Sequence, residues 1–569
     1  MKKTKILIAI LSVLLSVTAC NLMPENIATG NGTTGATSGT NITESQEKSD
    51  SETNEEIQND TSHIQTEGNK NDETDDKNID QQEIPYSQGL EYLLNRDGKT
   101  YRCIGKGSCT DEVISIPPMY NTLPVTHVGD PGMRNSSAWD GITTLIIPNE
   151  VTVYSGYFQD NKDLITVIIG EKCIVENYAF YMSKSLKTVI CKSGAKIGNG
   201  AFKSCLELES ITFENNTTFG KEILAGCSTL TDVTIPADMT SIPQNFLSQC
   251  TSLENVTLPE TVTRIEDCAF YKCSKLKNLI IPEKVVYIGE RALADCTSIT
   301  ELSLPETLDY LGNKAMYNCS SLQKIALPSS IADWRTASLA ECSSLTELNL
   351  PPDLVTIPSD TFSGCVSLKT LNIPNTVKHI DQYAFANCTN LEKISLPSGV
   401  ESLGLGAFEW CESLKEINLP EGLLIIGDRC FIGCSALKSL TLPSTLTSLG
   451  ELSLSGCAIT VITIPGGVNV IKRNTFDCCE VLTSVTIEYG TTKIHDQAFS
   501  ACPNLEYLKL PSSLVKIENY IITDSPMLKE IHYDGTAEQW NGISKIKFWK
   551  FDGSSIEKVS CSDTVIELK

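Results

Sequence analysis

Aromatic residues make up only 7% of this 569-residue chain, and histidine occurs five times. The five are His63, His127, His379, His495 and His532, and no two stand three or four residues apart. A helical metal pair of the HExxH kind is therefore excluded, and P-loop, dinucleotide and nucleophile-elbow motifs are missing too. Basic residues are scarce, with 45 Lys and Arg against 70 Asp and Glu and a formal net charge of −25. Nucleic-acid binding needs a basic stripe, and none is present. Beyond the first 20 residues no apolar run approaches the roughly 18 residues of a membrane-spanning helix. Cysteine is abundant, at 23 residues, yet no Cys-x-x-Cys pair has zinc spacing. The expectation is a protein that is not an enzyme and carries no metal or cofactor.

What is present is a period. Cys205, Cys227, Cys250, Cys273, Cys296, Cys319, Cys342, Cys365, Cys388, Cys411, Cys434, Cys457, Cys479 and Cys502 follow one another at steps of 22 or 23. Trp139, Asn161 and Ser183 continue this ladder toward the N-terminus, and Ser525 extends it toward the C-terminus. A fixed period of 20–29 residues with leucines at set offsets is the signature of a leucine-rich repeat solenoid. About 18 repeats of 22–23 residues follow, with a parallel β-sheet on the concave face.

Taking Cys273 as the origin, Leu276, Leu279 and Ile281 stand at +3, +6 and +8. Alternation around +5 to +8 is that of a strand with one buried face, and the same reading puts Leu348 in the core. Pro282 at +9 recurs in ten consecutive repeats, from Pro236 to Pro443, and marks where the strand stops. Ala-Phe pairs such as Ala384-Phe385 precede the ladder and supply the convex side, where only a single helical or 3₁₀ turn has room. The ladder cysteines point in parallel into one core, which favours buried thiols over disulfides. Cys103 and Cys109 flank a turn, and pairing and free thiols both remain open for them.

The phrase Leu-Pro-x-x-Val-x-x-Ile-x-x-x-Ala-Phe-x-x-Cys-x-x-Leu, clearest at Leu258–Leu276 and with small departures at Leu396–Leu414, resembles the BspA-type leucine-rich repeat of bacterial surface proteins. The lead-in from Gly89 and the ending Tyr533-Asp534-Gly535-Thr536 with Gln539-Trp540 are similar to that family's flanking segments. The resemblance implies the α/β-type leucine-rich solenoid and adhesion to host proteins, other bacteria or matrix.

Residues 1–20 read as an export signal: Lys2, Lys3 and Lys5 precede the apolar stretch Ile6–Val17. Val17-Thr18-Ala19-Cys20 resembles a lipobox, which implies lipidation of Cys20 and anchoring on the outer face of a bacterial membrane. Residues 21–86 form a polar linker; between Glu44 and Glu83 lie fourteen acids and three lysines, a net of −11, and no aromatic residue. The run Asp72–Asp76 lacks the pattern of a calcium loop. Residues 87–138 are expected as an N-terminal cap, with strands Tyr101–Ile104 and Val113–Ile116 around one turn. Residues 139–533 form the solenoid, and 534–569 a C-terminal cap with Trp540, Phe548 and Trp549.

Outward positions of the sheet are mostly small and polar. Offset +7 carries Asn349, Asn372 and Asn418, and in the first repeats Ile146, Ile168 and Ile190, which line up as an exposed apolar strip that either docks a partner or is covered by the N-terminal cap. Carboxylates such as Glu301 and Glu347 stand two rungs apart, as an acidic surface produces without catalysis. The function expected is binding of a protein or glycoprotein on a host or microbial surface by a lipid-anchored monomer. An envelope spacer or a carbohydrate-binding accessory protein is the alternative.

Overall fold

The computed structural model describes residues 85–134, 136–546, 549 and 555–568. Cys20, the acidic run and Phe548 lie outside the described residues. The chain winds into about 19 turns, and each turn adds short strands to two columns rather than one. The first column holds offsets +5 to +8 and opens with Val113–Ser115, Thr144–Ile147, Thr166–Ile169 and Thr188–Cys191, paired in parallel. The second holds offsets +14 and +15, as in Arg264–Ile265, Tyr287–Ile288 and Tyr310–Leu311. Register partners are one repeat apart, so Ile265, Ile288 and Leu311 stack directly and are fully buried.

Both columns break into runs, and proline accounts for much of the pattern. In the second column the residue after each strand donates to the rung before it: Gly289 N–H to the Ile265 carbonyl at 2.8 Å, Gly312 to Ile288 at 2.9 Å. Pro243 and Pro358 occupy this offset and have no N–H to give. The column is interrupted at both places, before Ser241–Ile242 and before Thr356–Ile357. In the first column the +9 residue plays the same part where it is not proline; Glu488 N–H reaches the Ile464 carbonyl at 3.0 Å and the strand Val461–Ile464 has four residues. Along the stretch Pro236 to Pro443 strands shrink to three residues or fewer. Leu348, in the strand Glu347–Asn349 that ends a run, is half-buried, not fully in the core as expected.

The third side is not helical. A 3₁₀ helix spans Ser136–Trp139, and elsewhere the Ala-Phe segments are stacked turns. Five residues and one residue before the ladder position the backbone is left-handed on ordinary side chains: Arg291 (φ 51°) and Asp295 (φ 61°), Lys314 (φ 54°) and Asn318 (φ 56°). Each such residue costs about 1–2 kcal/mol. The return is that alternate N–H groups point at the next turn. Arg291 donates to Asn313 O at 2.9 Å, Leu293 to Ala315 O at 2.8 Å and Asp295 to Tyr317 O at 2.8 Å. Between these bonds the phenylalanines stack inward, with Phe362, Phe385, Phe408 and Phe431 fully buried at centroid spacings of 5.3–5.5 Å.

The ladder residue joins this side to the core. All fourteen cysteines are buried free thiols, and each donates to a backbone carbonyl of the preceding turn. Cys273 reaches Leu247 O at 3.1 Å, Cys342 reaches Met316 O at 3.3 Å and Cys388 reaches Phe362 O at 3.2 Å. Ser183 and Ser525 do the same with hydroxyls, to Phe158 O at 3.0 Å and Phe499 O at 3.3 Å. Thiol and hydroxyl thus serve as the same single donor at this position. Cys103 and Cys109 are also free and buried.

At the ends the winding gives way to antiparallel pairs. Glu91–Leu94 pairs with Tyr101–Gly105. The strands expected around one turn fall in different columns, because Tyr101–Gly105 lies beside Leu123–Val128 while Val113–Ser115 lies beside Thr144–Ile147. At the other end Thr536 and Gln539 form a capping box on the helix Ala537–Gly542. Its buried Trp540 meets Tyr533 and Trp549 edge-on at 5.3 and 5.8 Å.

Two outcomes are expected. Leu345, fully buried at +3, should lose about 2–5 kcal/mol of stability as Leu345→Ala, while Cys342→Ser should change it by about 1 kcal/mol or less. Denaturant titration followed by circular dichroism separates the two. Burial pushes the Cys273, Cys342 and Cys388 thiols up to about 12, against about 8.5 in an unfolded chain. Above about pH 8.5 the unfolded chain releases protons that the folded one keeps, so stability is fully present below that pH and falls as pH rises toward 12. Melting temperatures from pH 7 to 11 should show this decline, and changing those three cysteines to serine should make it shallower.

Candidate binding surface

The outward face of the first column is built by alternation. In each strand the +6 and +8 residues turn to the core, and +5 and +7 turn out. Asn349 and Asn372 are exposed, Asn349 beside Ala326 and Asn372 beside Ser395. They stand on either side of a break, since Glu347–Asn349 ends one three-stranded run and Thr370–Asn372 begins the next.

Asn418 has a different task. Its Nδ2 donates to the Leu396 carbonyl at 3.0 Å and its Oδ1 accepts the Leu396 N–H at 3.1 Å. The +9 residue of this rung is Pro420, which cannot supply the N–H that Leu396 would otherwise receive. The asparagine amide stands in for it, so Asn418 serves the scaffold.

Ile146, Ile168 and Ile190 stack in register and are followed by Thr212. They are half-buried rather than exposed, because each isoleucine covers its neighbour, and the strip begins beside the buried Ser115. Ile280 is more exposed, with 81% of its surface open. It has the same offset, but Thr257 and Ser303 on the adjoining rungs are too small to shield it. It sits in a depression of about 390 Å³ whose other walls include Glu283, Glu301, Lys324 and Ala326. Sequence alone placed Ile280 in the right row; its isolation between two small residues is the signal that sets it apart.

Charges alternate down the +5 row. Lys324 lies between Glu301 and Glu347 and pairs with Glu347 at 3.7 Å, while Lys393 pairs with Glu416 at 3.0 Å. The two glutamates are thus separated by a cation. Exposed pairs of this kind contribute about 0–1 kcal/mol each and mainly balance the face electrically. Toward the C-terminus Tyr507 stacks on His532 at 4.6 Å, and Lys509 meets Asp534 at 3.1 Å. Among the described residues no group of three His, Cys, Asp or Glu is placed to hold a metal ion, and no helix is long and apolar enough to cross a membrane.

Six overlapping copies of the BspA type leucine rich repeat region match residues 151–277, 217–346, 264–392, 355–481, 401–529 and 454–569. The chain belongs to this family. A comparison with curated proteins gives no match. Among solved structures, a leucine-rich repeat protein from Bacteroides ovatus is 18% identical, with 84% of this chain and 99% of that one covered and a TM-score of 0.40. A leucine rich cell surface protein from Faecalibacterium prausnitzii is 20% identical over 81% and 98%, with a TM-score of 0.31. A leucine-rich repeat protein from Eubacterium ventriosum is 16% identical over 83% and 91%, with a TM-score of 0.28. Within the BspA-type repeat, the outward offsets +5 and +7 vary from turn to turn in this chain, carrying Asn, Ser, Thr, Lys, Glu and Ile.

The role given to Asn418 can be tested by a double-mutant cycle. Asn418→Ala should cost about 1 kcal/mol in the native chain, because the Leu396 peptide loses its partner. In a Pro420→Ala background, where the main chain supplies an N–H, the same change should cost measurably less. Equal costs in both backgrounds would separate Asn418 from the proline.

Proposed function

We propose that this chain is a non-catalytic binding protein of the bacterial cell surface. In this reading a lipid on Cys20 holds it to the membrane, residues 21–86 act as a tether, and the outward face of the first column engages a protein or glycoprotein of a host or of another microbe. The supporting observation is that face itself: small polar side chains repeat along it at 22–23-residue steps, interrupted by exposed Ile280 and by Asn349 and Asn372 beside a break. Single contacts between small polar groups contribute about 0.5–1.5 kcal/mol each, so affinity comes from several rungs acting together. An exposed apolar residue among them supplies the anchor around which such contacts become selective. Adhesion is the role that the family resemblance and the export signal support.

The anchor and the face are tested separately. Cys20→Ala should abolish labelling by radioactive palmitate and leave unprocessed or released protein; persistent label on the variant would contradict lipidation there. The full chain should be offered to immobilised matrix proteins, mucin and microbial surface proteins. For any partner retained, Ile280→Asp and the pair Asn349→Lys with Asn372→Lys should each weaken binding about tenfold or more. Wild-type affinity in both folded variants would move the site off this face and leave the chain as a spacer.

A further inference from the structure

On the turn side, away from the first column, the row five residues before the ladder reads Gly156, Tyr178, Gly200 over three successive turns. Gly156 (φ 61°) leaves a gap one turn wide beside Tyr178, in a row that carries side chains such as Arg134, Glu222 and Asn245 on other turns. Gly200 on the far side lets the Tyr178 ring lean over its backbone, since a side chain there would collide with the ring. Tyr178 is 41% exposed and meets Tyr181 edge-on at 5.8 Å. The gap is a depression of about 380 Å³ floored by Gly156 and walled by the two tyrosines, Arg134, Lys203, Gln159 and Ser155.

The charge of this lining runs against that of the chain. Among the described residues the lining holds two cations and no carboxylate, in a protein with 70 acids and 45 bases. The nearby acids are engaged. Glu222 pairs with Lys203 at 2.5 Å, Glu176 accepts the Ser155 N–H at 2.9 Å, and Asp160 accepts from Gln159 Nε2 at 3.2 Å. Arg134 leans over the floor, its Nε lying 3.5 Å from where a Gly156 side chain would begin.

We propose that this depression binds a carboxylated pyranose, a uronate or a sialate. A tyrosine face is electronegative and attracts the C–H face of a sugar ring. Arg134 presents a planar fork to a carboxylate, which a neutral sugar does not use. The Gln159 Oε1 and the Ser155 lone pairs accept from ring hydroxyls; the Ser155 hydroxyl proton is given to Asn177 O at 2.7 Å. Arg134 disfavours a cationic ligand, Lys203 being paired with Glu222, and the open aromatic ring favours a sugar over a bare anion.

Saturation-transfer NMR and calorimetry on the full chain, with four probes, test this. Methyl glucuronide and the methyl glycoside of sialic acid are the acidic sugars, methyl glucoside lacks the carboxylate, and acetate lacks the ring. At least one acidic glycoside should bind with Kd on the order of 1 mM, and both controls about fivefold more weakly or worse. Comparing the two acidic probes tells uronate from sialate. Tyr178→Ala and Arg134→Ala should each weaken the acidic glycoside about tenfold. Gly156→Asn should do the same without removing any lining group, because asparagine tolerates positive φ and fills the floor. Melting curves confirm that each variant folds. Equal binding of glucoside and glucuronide, acetate matching the sugars, no binding by either acidic probe, or unchanged binding in the folded variants would each overturn the proposal.

Discussion

The structure rests on one demand: every turn must offer its neighbours the same set of backbone donors and acceptors at the same places. A single turn buries little and has no partner for its own peptide groups, so it is unstable alone. Stacked at 22 or 23 residues, the turns satisfy each other on three sides, through two columns of strands and one of turns. The third column shows how strong the demand is. Residues such as Arg291 and Lys314 accept a left-handed backbone that costs energy locally, because the alternative is a row of unpaired peptides against the next turn.

Side chains are then selected to repair what the backbone path leaves open. The ladder cysteine is buried and donates to a carbonyl of the preceding turn, a role that Ser183 and Ser525 also perform. Its thiol is protonated because it is buried, so the same environment that makes it a donor keeps it unreactive. Proline has the opposite effect. At +9 it ends the strand cleanly and removes one N–H per rung, and the chain compensates at Asn418 with a side-chain amide. At Pro243 and Pro358 the second column stays interrupted. The run that ends at Glu347–Asn349 leaves Leu348 only half-buried, whereas Ile417 at the end of another run stays buried.

The period, the core offsets and the strand stop at proline were legible in the sequence because each repeats on one residue type. The second column was not. Its strands are two residues long, as in Tyr287–Ile288, and two residues cannot display an alternation. The stacked turns were read as helical because their left-handed positions carry Lys, Arg and Asp, whose presence gives no sign of positive φ. The candidate surface was legible in outline: the +7 row was identified, but the roles within it depend on neighbours 22–23 residues away. Ile146 is shielded by Ile168, Ile280 is left open by Thr257 and Ser303, and Asn418 answers Pro420. Each of these relations exists between rungs and is invisible along the chain.

A periodic surface cannot by itself be selective, because a ligand that fits one rung fits the next and slides. Selectivity has to come from the places where the period fails outwardly while the inward offsets keep it. Changing an outward residue costs little stacking energy, whereas changing an inward one opens a cavity in a close-packed core. The two kinds of position are therefore free to follow different constraints on a single backbone path. Outward departures of this kind among the described residues include an unshielded isoleucine, two asparagines at a break, and a glycine beside a cationic, tyrosine-walled gap on the turn side. The uniformity of the scaffold is what makes each of them stand out, to a partner as much as to an observer.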